Sequence, residues 1–170
     1  MSEVQEGGGR RPLAVVSACL LGRACRYDGK HKLVPGLAER LGTAGYDVLS
    51  VCPETDSGLG CPRPPMDLHP VPPPDGELHA LRADGTDCTP VLSAWVENLL
   101  AKLRQRPPVL CVLKSKSPSC GISGARPGLF ASALGKAFPD ACFQEEAAAQ
   151  LGDDGALISN PSARAVRSGP

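Results

Sequence analysis

Three short apolar runs decide most of what this chain can fold into. Leu13 to Ala18, Val48 to Val51 and Leu110 to Leu113 are rich in valine and leucine. The first is continuously apolar rather than alternating, the pattern of a strand buried on both faces. Each run then breaks abruptly. Cys19 follows the first and Cys52 the second, and the third turns into Lys114-Ser115-Lys116-Ser117-Pro118-Ser119-Cys120-Gly121. Pro118 and Gly121 exclude regular structure there, so Cys120 sits in a loop at the carboxyl end of its strand. In a parallel α/β sheet that edge binds ligands. Three strands therefore deliver one thiol each to a single edge. Cys111, inside the third run, reads as a small apolar filler.

The intervening segments supply helices. Pro35 to Ala44 carries Leu37, Ala38 and Leu41 on one face, and Gly45 stops it. The clearest helix begins at Thr89, taken as its cap, with Pro90 in the first turn. Val91, Leu92, Trp95, Val96, Leu99, Leu100 and Leu103 share its apolar face, so Trp95 is a core residue. Pro107-Pro108 ends it. Gly128 to Ala137 reads as a further helix, Ala141 to Phe143 as a fourth strand and Glu145 to Leu151 as a small helix. Leu78 to Arg82 and Thr86 to Cys88, joined through Asp84-Gly85, read as a hairpin beside the main sheet. The proline-rich stretch through Pro74 is either a surface excursion or one wall of a cleft. This order predicts an α/β fold: a single Rossmann-like domain with a mainly parallel sheet of about four strands and helices on both faces. The domain is expected over residues 12–158, between a flexible tail at 1–11 and a loose tail at 159–170.

Length and composition narrow the function. A chain of 170 residues buries roughly 70 % of its unfolded surface and needs no metal merely to fold. Its 18 basic and 18 acidic residues cancel, and aromatic residues are scarce. Neither a nucleic-acid partner nor stacking platforms for single strands are expected. No apolar signal core or membrane span stands out, so a reducing, cytoplasmic location is expected. In that setting eight cysteines point to metal binding or chemistry rather than disulfides.

No Cys-x-x-Cys pair, dinucleotide-binding glycine loop or phosphate loop is present. The three histidines, His31, His69 and His79, lack ligand spacing. A metal site must then be assembled from separate strand ends. Thiolates suit zinc, copper(I) or iron–sulfur clusters. A four-iron cluster held by only Cys19, Cys52 and Cys120 leaves one iron open, as a catalytic zinc keeps a vacant position. Lys114 and Lys116 offset the negative charge, and Cys25 is a spare ligand or a close neighbour. Glu54, displayed beside Cys52, is either a surface carboxylate or a general acid/base. Ser117 is either a loop cap or a group that orients water or substrate.

The blocks Val16-Ser17-Ala18-Cys19-Leu20-Leu21-Gly22, Cys25-Arg26-Tyr27-Asp28-Gly29, Cys52-Pro53-Glu54, Arg63-Pro64-Pro65 and Leu113 to Gly121 resemble, in order, those of the TudS-like 2-thiouracil desulfidases. The resemblance covers residues 13 to about 146. It implies a Rossmann-like fold and an oxygen-sensitive [4Fe-4S] cluster held by the cysteines matching Cys19, Cys52 and Cys120. It further implies hydrolytic, non-redox removal of sulfur from a thiolated pyrimidine at the free iron, with release of hydrosulfide. Glu54 matches the family's catalytic carboxylate and Ser117 its helper serine. The implied substrate is 2-thiouracil, a 4-thiouracil base or a thiolated uridine nucleotide, whose phosphate Arg26, Lys30 or Arg63 would contact. A monomer fits the resemblance. Cys61 replaces a common family pattern and either enters the cleft or is a small bystander; Asp67 stands where a glutamate is common. The competing reading is a non-catalytic iron–sulfur or zinc protein with a structural or redox-sensing metal site.

Overall fold

The computed structural model describes residues 9–71 and 77–150. The expected tail at 159–170, the domain end at 158, and residues 1–8 of the expected amino-terminal tail lie outside them.

Four parallel strands form the main sheet in the order β2-β1-β5-β6: β1 is Leu13–Ser17, β2 Asp47–Val51, β5 Pro108–Leu113 and β6 Cys142–Glu145. The central pair, β1 and β5, is buried along nearly its whole length, whereas β2, at an edge, alternates partly exposed and exposed residues up to Val51. That difference follows from position. A central parallel strand is covered on both faces, and its sequence is correspondingly apolar. Helices α1 (Leu37–Thr43) and α5 (Glu146–Gln150) cover one face, packing Leu37, Leu41 and Ala149 against Ala14, Val16, Leu110 and Val112. Helices α3 (Thr89–Leu103) and α4 (Leu129–Ala137) cover the other, packing Val96, Leu100, Phe130 and Leu134 against Val15, Cys111 and Leu113. Trp95 meets Phe130 edge-on, with ring centroids 5.8 Å apart. The architecture matches the expected α/β sheet with helices on both faces.

The chain leaves β1 toward β2 on one side and later returns to β5 on the other side of β1. Loops from the carboxyl ends of β1 and β5 therefore diverge toward opposite faces. That divergence opens a crevice, the topological switch point where ligands bind in such sheets.

Three local expectations are corrected. The residues after Cys52 are not an open loop: Pro53–Asp56 form one helical turn, α2, with Pro53 in its first position. The strand β4 (Leu78–Arg82) pairs antiparallel with β3 (Met66–Pro70), not chiefly with Thr86 to Cys88. The latter do fold back on β4, but as a short extension: the Arg82 amide donates to the Thr86 carbonyl at 2.9 Å and the Cys88 amide to the Ala80 carbonyl at 2.8 Å, on either side of a bridge between Leu81 and Asp87. The proline-rich stretch thus supplies a strand in a two-stranded sheet, where a missing amide is tolerated. Finally, Cys88 stands at the cap position of α3, and the Thr89 hydroxyl instead accepts the Ala80 amide at 2.8 Å. Thr89 ties the helix start to β4, and Val91 of the expected apolar face is exposed.

Candidate functional site

A cavity of about 290 Å³ opens at the carboxyl ends of β1, β2 and β5. Cys19, Cys25, Cys52, Cys120, Glu54 and Ser117 all line it. Met66 and Asp67 of β3 also line it, as do Arg26 and Tyr27. The volume is at the lower end of small-molecule sites.

Each thiol is placed by a distinct local cause. Cys19 lies in a short 3-10 turn, Ala18–Leu21, closed by Gly22 in the left-handed region at φ +95°. Cys52 follows β2 and caps α2; its amide donates to Asp56 Oδ2 at 2.8 Å, and its thiol reaches the Cys25 carbonyl at 3.6 Å. Cys120 is buried in the loop after β5, where its amide donates to Ser117 Oγ at 3.1 Å. Burial, followed by the neighbouring Cys52 thiol, pushes Cys19 up to about 11, although Lys114 and Arg26 pull the other way. Burial and Cys52 likewise push Cys25 up to about 12. Burial raises Cys120 further, against a hydrogen bond from Ser17. In the metal-free protein Cys19, Cys25 and Cys120 stay protonated, so metal uptake by them must release protons. Among the described residues no three Cys, His, Asp or Glu side chains converge on one point as a single ion requires. A polynuclear cluster, with separate irons at its corners, takes its thiolates from more widely spaced positions. The all-thiol donor set in one partly buried cavity fits such a group.

Glu54 is only 8 % exposed. Arg63 donates to its Oε2 from Nε at 2.9 Å and from Nη2 at 2.7 Å, and the Ser119 hydroxyl donates to Oε1 at 3.0 Å. The third guanidinium nitrogen of Arg63 reaches the Cys25 and Gly60 carbonyls, both at 3.0 Å, and Thr55 Oγ1 at 3.1 Å. Arg63 is therefore a buried brace joining three segments, and its donors are engaged by the protein itself rather than by a phosphate. Neither Arg63 nor Ser119 was visible as a partner of Glu54 in the sequence; Ser119 lies 65 positions away.

Ser117 Oγ accepts both the Ser119 amide at 3.2 Å and the Cys120 amide at 3.1 Å. The loop-cap role is thus real, and it occupies the hydroxyl's two acceptor positions while leaving its proton to donate. Lys114 Nζ pairs with Glu146 Oε1 at 2.7 Å, a carboxylate the sequence reading passed over. The charge Lys114 presents to the cavity is accordingly shared. Burial opposes the Glu146 charge, but hydrogen bonds from Lys114 and Ser115 outweigh it and hold this carboxyl at about 2.

Cys61 stays out of the cleft. It is exposed, and its thiol donates to the Ala24 and Arg26 carbonyls at 3.1 and 3.3 Å. Cys88, Cys111 and Cys142 lie elsewhere in the packed interior, and no histidine lines the cavity. Arg26 remains at the cavity wall, stacked 5.8 Å from the Tyr27 ring centroid and 3.6 Å from Asp28.

Comparison with known proteins adds a family. Residues 14–146 match the model described as 2-thiouracil desulfurase. A solved structure of the [4Fe-4S]-dependent thiouracil desulfidase TudS superposes with a TM-score of 0.69 at 29 % identity, covering 88 % of this chain and 99 % of that one. The uncharacterized protein YbbK of Bacillus subtilis (strain 168) is 29 % identical over 112 residues, spanning 64 % of this chain and 73 % of the relative.

Proposed function

The chain belongs to the 2-thiouracil desulfurase family, and from that premise we propose that it is a desulfidase that replaces the sulfur of a thiolated pyrimidine by oxygen from water, without net redox change, and releases hydrosulfide. Cys19, Cys52 and Cys120 hold a [4Fe-4S] cluster. The observation that carries this is the convergence of these three thiols with Glu54 and Ser117 on one cavity at the switch point of the sheet. When bound through only three thiolates, such a cluster supplies a Lewis-acidic iron with affinity for sulfur.

The chain's own residues account for the rest. Glu54 Oε2 is occupied by Arg63, whereas Oε1 has Ser119 as its partner and retains a lone pair. Oε1 takes the proton from water as it attacks the carbon bearing sulfur. The Ser117 hydroxyl, its acceptor positions filled by amides, donates toward the substrate and orients it. Met66 and Pro65 add apolar surface to the cavity wall and so limit water there. The substrate is a small thiolated base or nucleotide, handled by a monomer in a reducing, cytoplasmic compartment. Among the described residues no helix is long and apolar enough to cross a membrane.

Turnover in heavy-oxygen water tests the hydrolytic step. The product base should carry the heavy isotope, with no reductant required; unlabelled product would reject hydrolysis. A second reading has one specific support, the presence of buried Cys25 beside Cys52 in the same cavity. Four thiolates would close the cluster and make it structural or redox-sensing. Unchanged iron content and retained turnover in Cys25→Ser would dispose of that alternative.

A further inference from the structure

The desulfurating chemistry leaves two adjacent carboxylates at the end of β6 unexplained. We propose that Glu145 and Glu146 are positioning residues: together they clamp both ends of the loop that carries Ser117 and Cys120, and so set how firmly the cluster is held. This rests on the assignment of Cys120 as a cluster ligand in the proposed function.

Glu146 grips the entry to the loop. Its Oε1 accepts Lys114 Nζ at 2.7 Å and the Ser115 hydroxyl at 2.6 Å, and its Oε2 accepts the Ser115 amide at 2.6 Å. Glu145 grips the exit. Its Oε1 accepts the Ile122 and Ser123 amides at 2.7 and 2.9 Å, and its Oε2 accepts the Ser123 hydroxyl at 2.5 Å. The register of β6 on β5 places Glu145 beside Leu113, the last residue before the loop. Glu145 ends β6 and Glu146 opens α5, so the two side chains leave the chain where it turns from strand to helix and one dipeptide reaches both limbs. Each limb is held by charge-assisted hydrogen bonds, the stronger kind.

Lys116 to Gly121, between the two grips, contains no regular helix or strand. Lys116 has φ +52°, and among the described residues no other non-glycine has a positive φ. Such a conformation persists only where its surroundings over-determine it. The clamp supplies that constraint. Neither glutamate lines the cavity, so both act through the loop rather than on substrate. A metal ligand must be held to within about 0.5 Å of its working place. Loss of an outer partner of a ligand typically weakens metal retention about 10–100-fold.

The test is the anaerobic release of iron to an iron(II) chelator from cluster-loaded wild type, Glu145→Gln, Glu146→Gln and the double variant. Leu92→Ala in α3, buried in a core cluster that contains none of Cys19, Cys52 and Cys120, serves as a control, compared in denaturant at concentrations giving equal global stability. Release about 10–100-fold faster in the clamp variants, with the control close to wild type, is expected. The hydrogen exchange of the Ser119 to Gly121 amides should rise in the same variants while that of β1 does not. Clamp variants that release iron no faster than the control would overturn this proposal alone. A wild-type chain that takes up no iron overturns both it and the functional reading.

Discussion

Glu54 shows how a buried carboxylate remains useful. Arg63 and Ser119 fix its orientation, but they leave one lone pair of Oε1 toward the cavity. Glu54→Gln preserves the shape and can still accept from Arg63, yet it cannot take a proton from water. Turnover is expected to fall about 10²–10⁴-fold, with iron and sulfide content retained; unchanged turnover would remove Glu54 from the chemistry. Glu146 has a different signature. Its folded carboxyl sits at about 2 against an ordinary 4.5, so its stabilisation is present above pH 4.5 and is lost as pH falls through 2. The shift corresponds to about 3 kcal/mol at neutral pH. Chemical denaturation of the metal-free Glu146→Gln variant should show a deficit of that order at pH 7, narrowing toward zero near pH 2. A constant deficit across that window would mean that the charge is not its source. Glu54 was legible from the sequence because it adjoins Cys52. Its partners were not, because Arg63 and Ser119 reach it only through the fold, and no periodicity encodes such a pairing.

At the scale of elements, the loop after β5 is organised as much by α4 as by its own residues. The amides of Leu129 and Phe130 donate to the Pro118 and Ser119 carbonyls at 3.0 and 2.9 Å, and the Gly128 amide donates to Gly121 at 2.7 Å. The unsatisfied first-turn amides of a helix thereby become anchors for the loop that bears Cys120. Gly128 permits the approach: a Cβ there would meet the Ser119 carbonyl carbon and oxygen, both at 2.4 Å, and neither is a flexible side chain. Gly128→Ala should therefore displace the loop, destabilise the protein by about 1–3 kcal/mol, and lower bound iron measured on the purified protein. Full iron content in that variant would show that the loop can yield. The helices α1, α3 and α4 were readable because their apolar residues recur with helical spacing. The strand β3 was not, since Met66–Pro70 has neither clean alternation nor apolar continuity. What makes it a strand is β4, with which it pairs from Met66–Arg82 to Pro70–Leu78.

For the whole molecule, the decisive feature is the strand order. The apolar runs of β1 and β5 announced buried central strands, and the cysteine after each of the three runs pointed to one edge of the sheet. The sequence could not say that β5 lies beside β1 on the side away from β2, and that arrangement is what brings Cys19 and Cys120 to one crevice. Cys61 illustrates the converse: its departure from the family pattern left open whether it enters the cleft or is a small bystander, and the fold turns it outward onto the Ala24 and Arg26 carbonyls. Exposure should make Cys61 the first thiol labelled by iodoacetamide in metal-free protein at neutral pH. Cys19, buried and held at about 11, should follow slowly, as peptide mass spectrometry would record; equal rates would contradict the burial of Cys19. The most direct measurement is a count of iron and acid-labile sulfide on anaerobically prepared protein, followed by addition of 2-thiouracil to the same sample. About four irons and four sulfides per chain, the complement of one [4Fe-4S] cluster, with hydrosulfide and the oxygen-containing base formed in equal amounts, is the expected result. Tightly bound zinc without sulfide, in protein never exposed to air, would contradict it.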